Sequence, residues 1–375
     1  MKDFIQFSNL ASLFKAYSKV RLGKRSKPVA LSYDFHLEDH ICLLQYLLRS
    51  GKYIPKPYMY FIVTDPKKRH IAAPNFRDRI VHRSLVNLIE PRIDKDFIYD
   101  SYACRKGKGT HFGLQRVKNF LMAARCRNGA QTSIYYLKCD IRKYFQSISW
   151  DVLIEILKKK ITDPDIMKLI TTIITNHKVY KNNGQLKNLP EHVVNLQERK
   201  GIPIGNLTSQ LFANVYLNEL DQYVKHILKE KWYARYMDDF LIIHPDKEHL
   251  IKVRNTLGQF LEDNLKLTLH PEKVFIQNAS FGVPFVGYRI FYDHILIRGK
   301  TLRRFQKRME KRKRMVREDK FTKEKLQLTC NSFLGHIQHA NAYHLQRFLF
   351  SQKRDRMLEK IHRKDIKCEQ LRLPF

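Results

Sequence analysis

Trp232-Tyr233-Ala234-Arg235-Tyr236-Met237-Asp238-Asp239-Phe240-Leu241-Ile242-Ile243 is the run that decides how this chain folds. Two apolar, aromatic-rich segments of strand length flank a pair of carboxylates. The flanks read as buried strands and the Asp pair as the tight connection between them. Like charges at adjacent positions repel unless a cation lies between them. Asp is also an ordinary turn former, and alone the pair fits a solvated hairpin tip better. A third carboxylate and the charge of the whole chain tip the balance towards a cation site.

That third carboxylate closes Ile134-Tyr135-Tyr136-Leu137-Lys138-Cys139-Asp140, which reads as a strand. Alone, Asp140 serves as readily as an N-cap for the residues after it. A two-metal site needs acidic ligands from separate elements, holding cations about 3.5–4 Å apart. Asp140 at one strand end with Asp238 and Asp239 at a hairpin tip meets that need.

The chain carries 70 Lys and Arg against 36 Asp and Glu, a formal charge of +34 over 375 residues. Such self-repulsion is relieved by binding a polyanion. With 43% hydrophobic and 12% aromatic residues the chain has the composition of a folded enzyme, which excludes a disordered basic tail. A chain this long divides into two or three subdomains. No apolar run approaches the roughly 18 residues of a spanning helix, and the N-terminus lacks the apolar region of a signal peptide. Nucleic acid is therefore the expected partner rather than a membrane. The six cysteines are scattered without a Cys-x-x-Cys pair, which argues against a zinc ribbon or a disulfide framework and fits a reducing cytoplasm. His36 and His40 lie four apart, but no third ligand is near; they read as surface or packing residues.

In chain order, residues 3–50 read as amphipathic helices. Tyr58–Val63 and Arg69–Ala73 read as strands joined by Asp65-Pro66-Lys67-Lys68, a turn with a basic tip. Asn75–Ile89 reads as a helix. The segment from Tyr102 to His111 is basic and glycine-kinked but lacks the phosphate-loop spacing, so it suits a nucleic-acid backbone rather than a nucleotide hydrolase. Helices are expected over Thr110–Met122, Asp151–Lys160 and Pro164–Thr175, with Asp163 capping the last. Residues 176–200 read as a loop or exposed hairpin turning at Asn182-Asn183-Gly184. The loop Gly201-Ile202-Pro203-Ile204-Gly205 then opens a long helix through Tyr223, placing backbone close to a bound strand. Residues 247–263 read as a helix, and Leu265–Ile276 and Phe285–Phe291 as strands. From Lys300 onward the chain is helical and densely basic (Arg303-Arg304, Lys307-Arg308), a surface suited to gripping a duplex.

These motifs resemble those of reverse transcriptases, over about residues 50–340. Asp140 with Phe145 five residues on resembles the first palm motif, and Tyr236-Met237-Asp238-Asp239 the second. The resemblance implies an α+β fold: a right-hand polymerase with fingers, a palm whose antiparallel sheet carries the Asp triad, and a helical thumb. Its divisions would be an N-terminal helical extension (1–50), fingers and palm (51–293) and a basic thumb (294–375). It implies two Mg²⁺ ions, with Mn²⁺ as a substitute, held by Asp140, Ile141, Asp238 and Asp239, Asp239 being either the weaker ligand or one that stands just behind the ligands. Deoxynucleoside triphosphates (dNTPs) would be the substrates. Arg69, helped by Lys67 or Lys68, resembles the fingers arginine on the triphosphate, and Phe145 the side chain that rejects a ribose 2′-hydroxyl. Lys273 resembles the palm lysine near the triphosphate, and Phe285-Val286-Gly287-Tyr288 the primer-grip turn.

The loop narrows the family. Most relatives carry Gln before its glycine, and group II intron enzymes continue it with Ser-Pro. Ile204-Gly205-Asn206-Leu207-Thr208-Ser209-Gln210 instead resembles the enzymes of bacterial and phage diversity-generating retroelements. The expectation is then a cytoplasmic RNA-directed DNA polymerase that copies a short template RNA from a primer into cDNA. It would misincorporate opposite template adenines and work with a small basic barrel-shaped accessory protein. The alternatives are a retron, group II intron-like or phage-defence reverse transcriptase, a non-catalytic RNA-binding scaffold, and a metal-dependent nuclease.

Overall fold

A computed structural model describes residues 2–64, 67–129, 131–180 and 186–350. The turn at Asp65-Pro66, the turn at Asn182-Asn183-Gly184 and the expected thumb beyond residue 350 lie outside the described residues. Four helices open the chain: α1 (Lys2–Phe7), α2 (Leu10–Arg21), α3 (Pro28–Phe35) and α4 (Leu37–Arg49). Their apolar stripes, including Phe7, Leu13, Tyr17, Ile41 and Leu44, are buried in one core with the next, longer helix. Strands β1 (Met59–Val63) and β2 (Arg69–Ala73) pair as an antiparallel hairpin.

Helix α5 (Phe76–Asp96) runs past its expected end at Ile89 and continues through Pro91. Proline removes one backbone donor from a helix, but Ile89 and Ile93 on either side of it are buried and hold the helix across that defect. Likewise α6 (Thr110–Asn128) outlasts its expected end at Met122. Next come β3 (Tyr135–Asp140), α7 (Tyr144–Ser147), α8 (Trp150–Lys160) and α9 (Pro164–Ile174). As expected, the Asp163 side chain caps α9, accepting from the N–H groups of Asp165 and Ile166. A short hairpin, β4 (Lys178–Tyr180) with β5 (Leu186–Asn188), leads to α10 (Leu207–Gln222), which ends in a π turn at Tyr223–Ile227.

Strands β6 (Trp232–Tyr236) and β7 (Asp239–His244) precede α11 (Lys247–Leu265). The stretch Leu265–Ile276 is not the strand that was expected. Lys266 turns left-handed at φ +52°, and the Lys273 N–H closes a turn onto the His270 carbonyl. Only β8 (Phe275–Asn278) is extended in a ladder. Nor is Phe285–Phe291 one strand. Val286 (φ +42°) and Gly287 (φ +95°) fold it into a hairpin of β9 (Val283–Phe285) and β10 (Tyr288–Ile290). Two positive φ values suit a two-residue hairpin loop, and glycine takes the second of them without strain. β11 (Ile295–Ile297), α12 (Gly299–Arg317), α13 (Lys323–Ile337) and α14 (Tyr343–Phe350) complete the described chain.

Contact density separates two units. One comprises Met1–Gly113 with Tyr135–Gln277, and contains a sheet in the order β6-β7-β3-β8. Its core combines one face of that sheet (Leu137, Cys139, Phe240, Ile242) with α5, α8, α10 and α11. The other comprises Leu114–Ile134 with the chain from Asn278 onward. It holds the β11-β10-β9 sheet and a small core of Phe305, Phe333, Ile337, Ala342 and Leu349.

Candidate active site

In the antiparallel ladder of β3 and β7, Asp140 stands directly opposite Asp239. Tyr236 pairs with Asp239 across β6 and β7, so the hairpin turn is Met237-Asp238. The sequence suggested that both carboxylates occupy the turn; Asp239 instead opens β7, because the ladder already claims it. Met237 sits at φ +58°, a conformation that costs a non-glycine residue roughly 1–2 kcal/mol. The surroundings enforce it. Arg235, fully buried, donates to the Met237 carbonyl at 3.1 Å and to Asn214 Oδ1 at 3.2 Å. It also grips Asp221 of α10 through two bonds, at 2.7 and 2.6 Å, and the Tyr233 hydroxyl donates to the same carboxylate at 2.7 Å. Burial opposes the guanidinium charge, but the Asp221 carboxylate outweighs it and raises the Arg235 pKa.

The three carboxylates differ in their surroundings. Burial, then the Asp140 charge, push Asp238 up to about 6. Asp140 accepts a hydrogen bond from Lys273 Nζ at 2.9 Å. Asp239 accepts one from the ammonium of Lys138. The backbone around Asp140 is pinned as well. Its carbonyl accepts from His270 N–H at 2.8 Å, and Arg142 N–H donates to the Thr268 carbonyl at 2.9 Å. Between those bonds Ile141 is buried, and no hydrogen bond among the described residues takes up its carbonyl oxygen.

Among the described residues, no three His, Cys, Asp or Glu side chains converge tightly enough to hold a metal ion by themselves. Two hard carboxylates, one of them desolvated beside a like charge, with a neighbouring carbonyl oxygen, still fit a divalent cation of the Mg²⁺ type. Mg²⁺ is held by one or two carboxylates plus waters and substrate phosphates rather than by an all-protein cage.

One loop gathers three other expected site residues. Ile202 N–H donates to the Phe145 carbonyl at 2.8 Å, and the Ile204 carbonyl accepts from Ala72 N–H at 2.9 Å. The same loop thus ties Phe145 to β2, the strand that Arg69 opens, exposed, opposite Val63. Gly205 is required between them. Its φ is +127°, and a Cβ there would lie 2.8 Å from the Ala72 carbonyl oxygen. Ile204 and Phe145 are half-buried. Lys273 is placed against Asp140, so its ammonium neutralises a carboxylate.

The basic segment expected to meet a nucleic-acid backbone also has internal partners. Arg105 pairs with Asp94 at 2.6 Å and Lys106 with Glu90 at 3.1 Å. Lys108 lies 3.7 Å over the Tyr99 ring. On α12, by contrast, Arg303, Arg304 and Lys307 are exposed and Arg308 is half-buried.

Lys138, Arg235 and Asp221 were not singled out from the sequence. A signal existed for two of them, since a charge inside an apolar strand needs a partner when buried. Lys138 also shares a strand face with Asp140 by simple alternation.

Residues 54–337 match the family model for reverse transcriptase (RNA-dependent DNA polymerase). Protein YkfC of Escherichia coli is 28% identical, over 65% of this chain and 69% of YkfC. The group II intron-encoded protein LtrA of Lactococcus lactis is 25% identical over 68% of this chain, which spans half of LtrA's length. Among solved structures, a telomerase from Candida albicans in complex with a TWJ fragment of telomeric RNA superposes with a TM-score of 0.52. It is 13% identical, over 66% of this chain and 46% of the telomerase, and shows a shared right-hand polymerase fold. With its carboxylates in register across β3 and β7 and its match from residue 54 to 337, the chain belongs to the reverse transcriptase family, the RNA-dependent DNA polymerases.

Proposed function

We propose that this chain extends a DNA primer on an RNA template, with the nucleotidyl transfer centred on Asp140 and Asp238. The observation that carries this is the juxtaposition of Asp140 with Asp239, which follows the Met237-Asp238 turn held by Arg235. Asp140, Asp238 and the Ile141 carbonyl would hold two Mg²⁺ ions, with Mn²⁺ as a substitute. When bound, those cations neutralise the charge that develops on the transferring phosphoryl group and favour the ionised primer 3′-hydroxyl. The chain's own part is positioning. Arg69, at the exposed start of β2, faces the dNTP triphosphate; Phe145 packs against its sugar; the Ile204-Gly205 loop sets the distance between the two. The exposed cations of α12 bind template and primer phosphates.

Within the family, we assign the chain to diversity-generating retroelements, on the side chain at position 204. Ile204 offers the nascent base pair a branched apolar surface, and its carbonyl is already taken by Ala72. A distorted pair therefore forfeits no hydrogen bond there. The small basic accessory protein belongs to this same assignment.

Purified protein with an RNA template, a DNA primer, dNTPs and Mg²⁺ tests both levels. DNA synthesis that Asp140→Asn abolishes supports the polymerase, and errors concentrated at template adenines support the retroelement assignment. Evenly distributed errors would return the chain to the intron-like or retron enzymes.

A further inference from the structure

Each of the two lysines at the carboxylates neutralises one of them, but they are mounted differently. Lys273 sits in the His270–Lys273 turn with its side chain 44% exposed, so it has room to leave Asp140. Lys138 lies inside β3 and is only 8% exposed. It shares the Asp140 face of that strand, and its register partner is Leu241, two residues beyond Asp239 on β7. It therefore stands diagonal to Asp239, and its ammonium donates to that carboxylate. A buried ammonium in a strand interior cannot swing into water; its counter-charge must stay beside it. The two ammoniums each offset one of the three carboxylates.

We propose that Lys138 is a positioning residue. It is a built-in counter-ion that keeps Asp239 out of the metal-holding set, leaving Asp140 and Asp238 to take cations chiefly when substrate phosphates arrive. This inference rests on the polymerase function proposed above. In the absence of Lys138, Asp239 would face Asp140 and Asp238 without that ammonium. The cluster would then be self-repelling when empty and would capture a divalent cation without nucleic acid.

Lys138→Met keeps the stem and removes the charge. Thermal unfolding of the full chain without nucleic acid, in EDTA and in MgCl₂, is the primary readout, since a ligand that binds only the folded state raises its melting temperature. The variant is expected to melt lower than the unsubstituted protein in EDTA and to gain several degrees more from Mg²⁺. In primer extension its half-saturating Mg²⁺ concentration should fall several-fold. Lys138→Arg, which restores a cation, should return both quantities to their original values. If Lys138→Met alone does not fold, Lys138→Met/Asp239→Asn removes both charges; it should fold and respond to Mg²⁺ as the unsubstituted protein does. Equal Mg²⁺ responses in Lys138→Met and the unsubstituted protein overturn the proposal. So does a double variant that keeps an enhanced response. An unsubstituted protein that extends no primer at any Mg²⁺ or Mn²⁺ concentration defeats the polymerase assignment instead, and leaves the melting comparison to decide the role of Lys138.

Discussion

The hairpins β6–β7 and β1–β2 are each antiparallel, lie in different sheets and are secured in opposite ways. Along β6 and β7 the strand interiors are buried, and the turn is fastened from within by Arg235, Asp221, Asn214 and Tyr233. Along β1, Met59, Phe61, Ile62 and Val63 are exposed. The β1–β2 hairpin rests on backbone contacts: Ala72 N–H on Ile204, and Tyr58 N–H on Lys178. Carboxylates that repel one another need a frame that does not yield. In the function proposed above, Arg69 would follow an incoming triphosphate, and a segment with few buried contacts opens for that at lower cost.

Breaking the fastened hairpin should do the most damage. Arg235→Met leaves Asp221 buried without its cation, at a cost of about 3–5 kcal/mol in chemical denaturation. Arg69→Ala, on the exposed hairpin, should stay within about 0.5 kcal/mol of the unsubstituted protein. Equal losses at the two positions would erase the contrast.

His82, on neither hairpin, supplies a pH axis for the fold. It is buried on α5 against the Thr208 hydroxyl at 2.9 Å, and burial pushes its pKa down to about 4. The folded state then binds fewer protons than the unfolded chain, whose histidine titrates near 6.5. Its contribution is present above about pH 6.5 and is lost as pH falls towards 4, by roughly 3 kcal/mol in all. Asp238, raised to about 6, acts in the opposite sense over the same range, so the limb is read as the difference in denaturation midpoint between the unsubstituted protein and His82→Gln from pH 4 to 7.

The exposed hairpin can be loosened at its anchor. Gly205→Ala sets a side chain against the Ala72 carbonyl in a left-handed conformation, at a cost of about 1–3 kcal/mol. Because the anchored strand carries Arg69, the KM for dNTP should rise more than kcat falls. A purely structural loss would lower the amount of active enzyme and leave KM alone.

The smallest effect is expected at position 204. A glutamine there can hydrogen-bond the nascent pair, and one such bond contributes about 0.5–1.5 kcal/mol, roughly 2- to 13-fold in discrimination. Ile204→Gln should lower misincorporation opposite template adenine several-fold, with smaller changes opposite other bases. An unchanged adenine error rate in sequenced cDNA would place the infidelity elsewhere.

The sequence showed the strand that ends in Asp140 and the two that flank Asp238, because apolar runs beside carboxylates are local patterns. At Phe285–Phe291 the local pattern read as one strand although the family resemblance marked Phe285-Val286-Gly287-Tyr288 as a turn; the turn is the structure's answer, and a valine at positive φ is dictated by the hairpin rather than by its own preference. The sequence hid the support of the site. Asp221 lies on a helix 14 residues before Arg235, and nothing in their spacing indicates that they meet. Nor do the internal partners of the basic segment at Arg105–Lys108 follow from its sequence: its acidic and aromatic neighbours are set by tertiary packing.

The central claim is that the carboxylates fastened by the buried hairpin are the catalytic centre of an RNA-directed DNA polymerase. Asp238→Asn tests it most directly, with primer extension and RNA binding measured on the same preparation. The substitution removes one anionic ligand and no phosphate contact. The expected result is no extended primer, with RNA binding equal to that of the unsubstituted protein. Full-length cDNA from Asp238→Asn would contradict the claim.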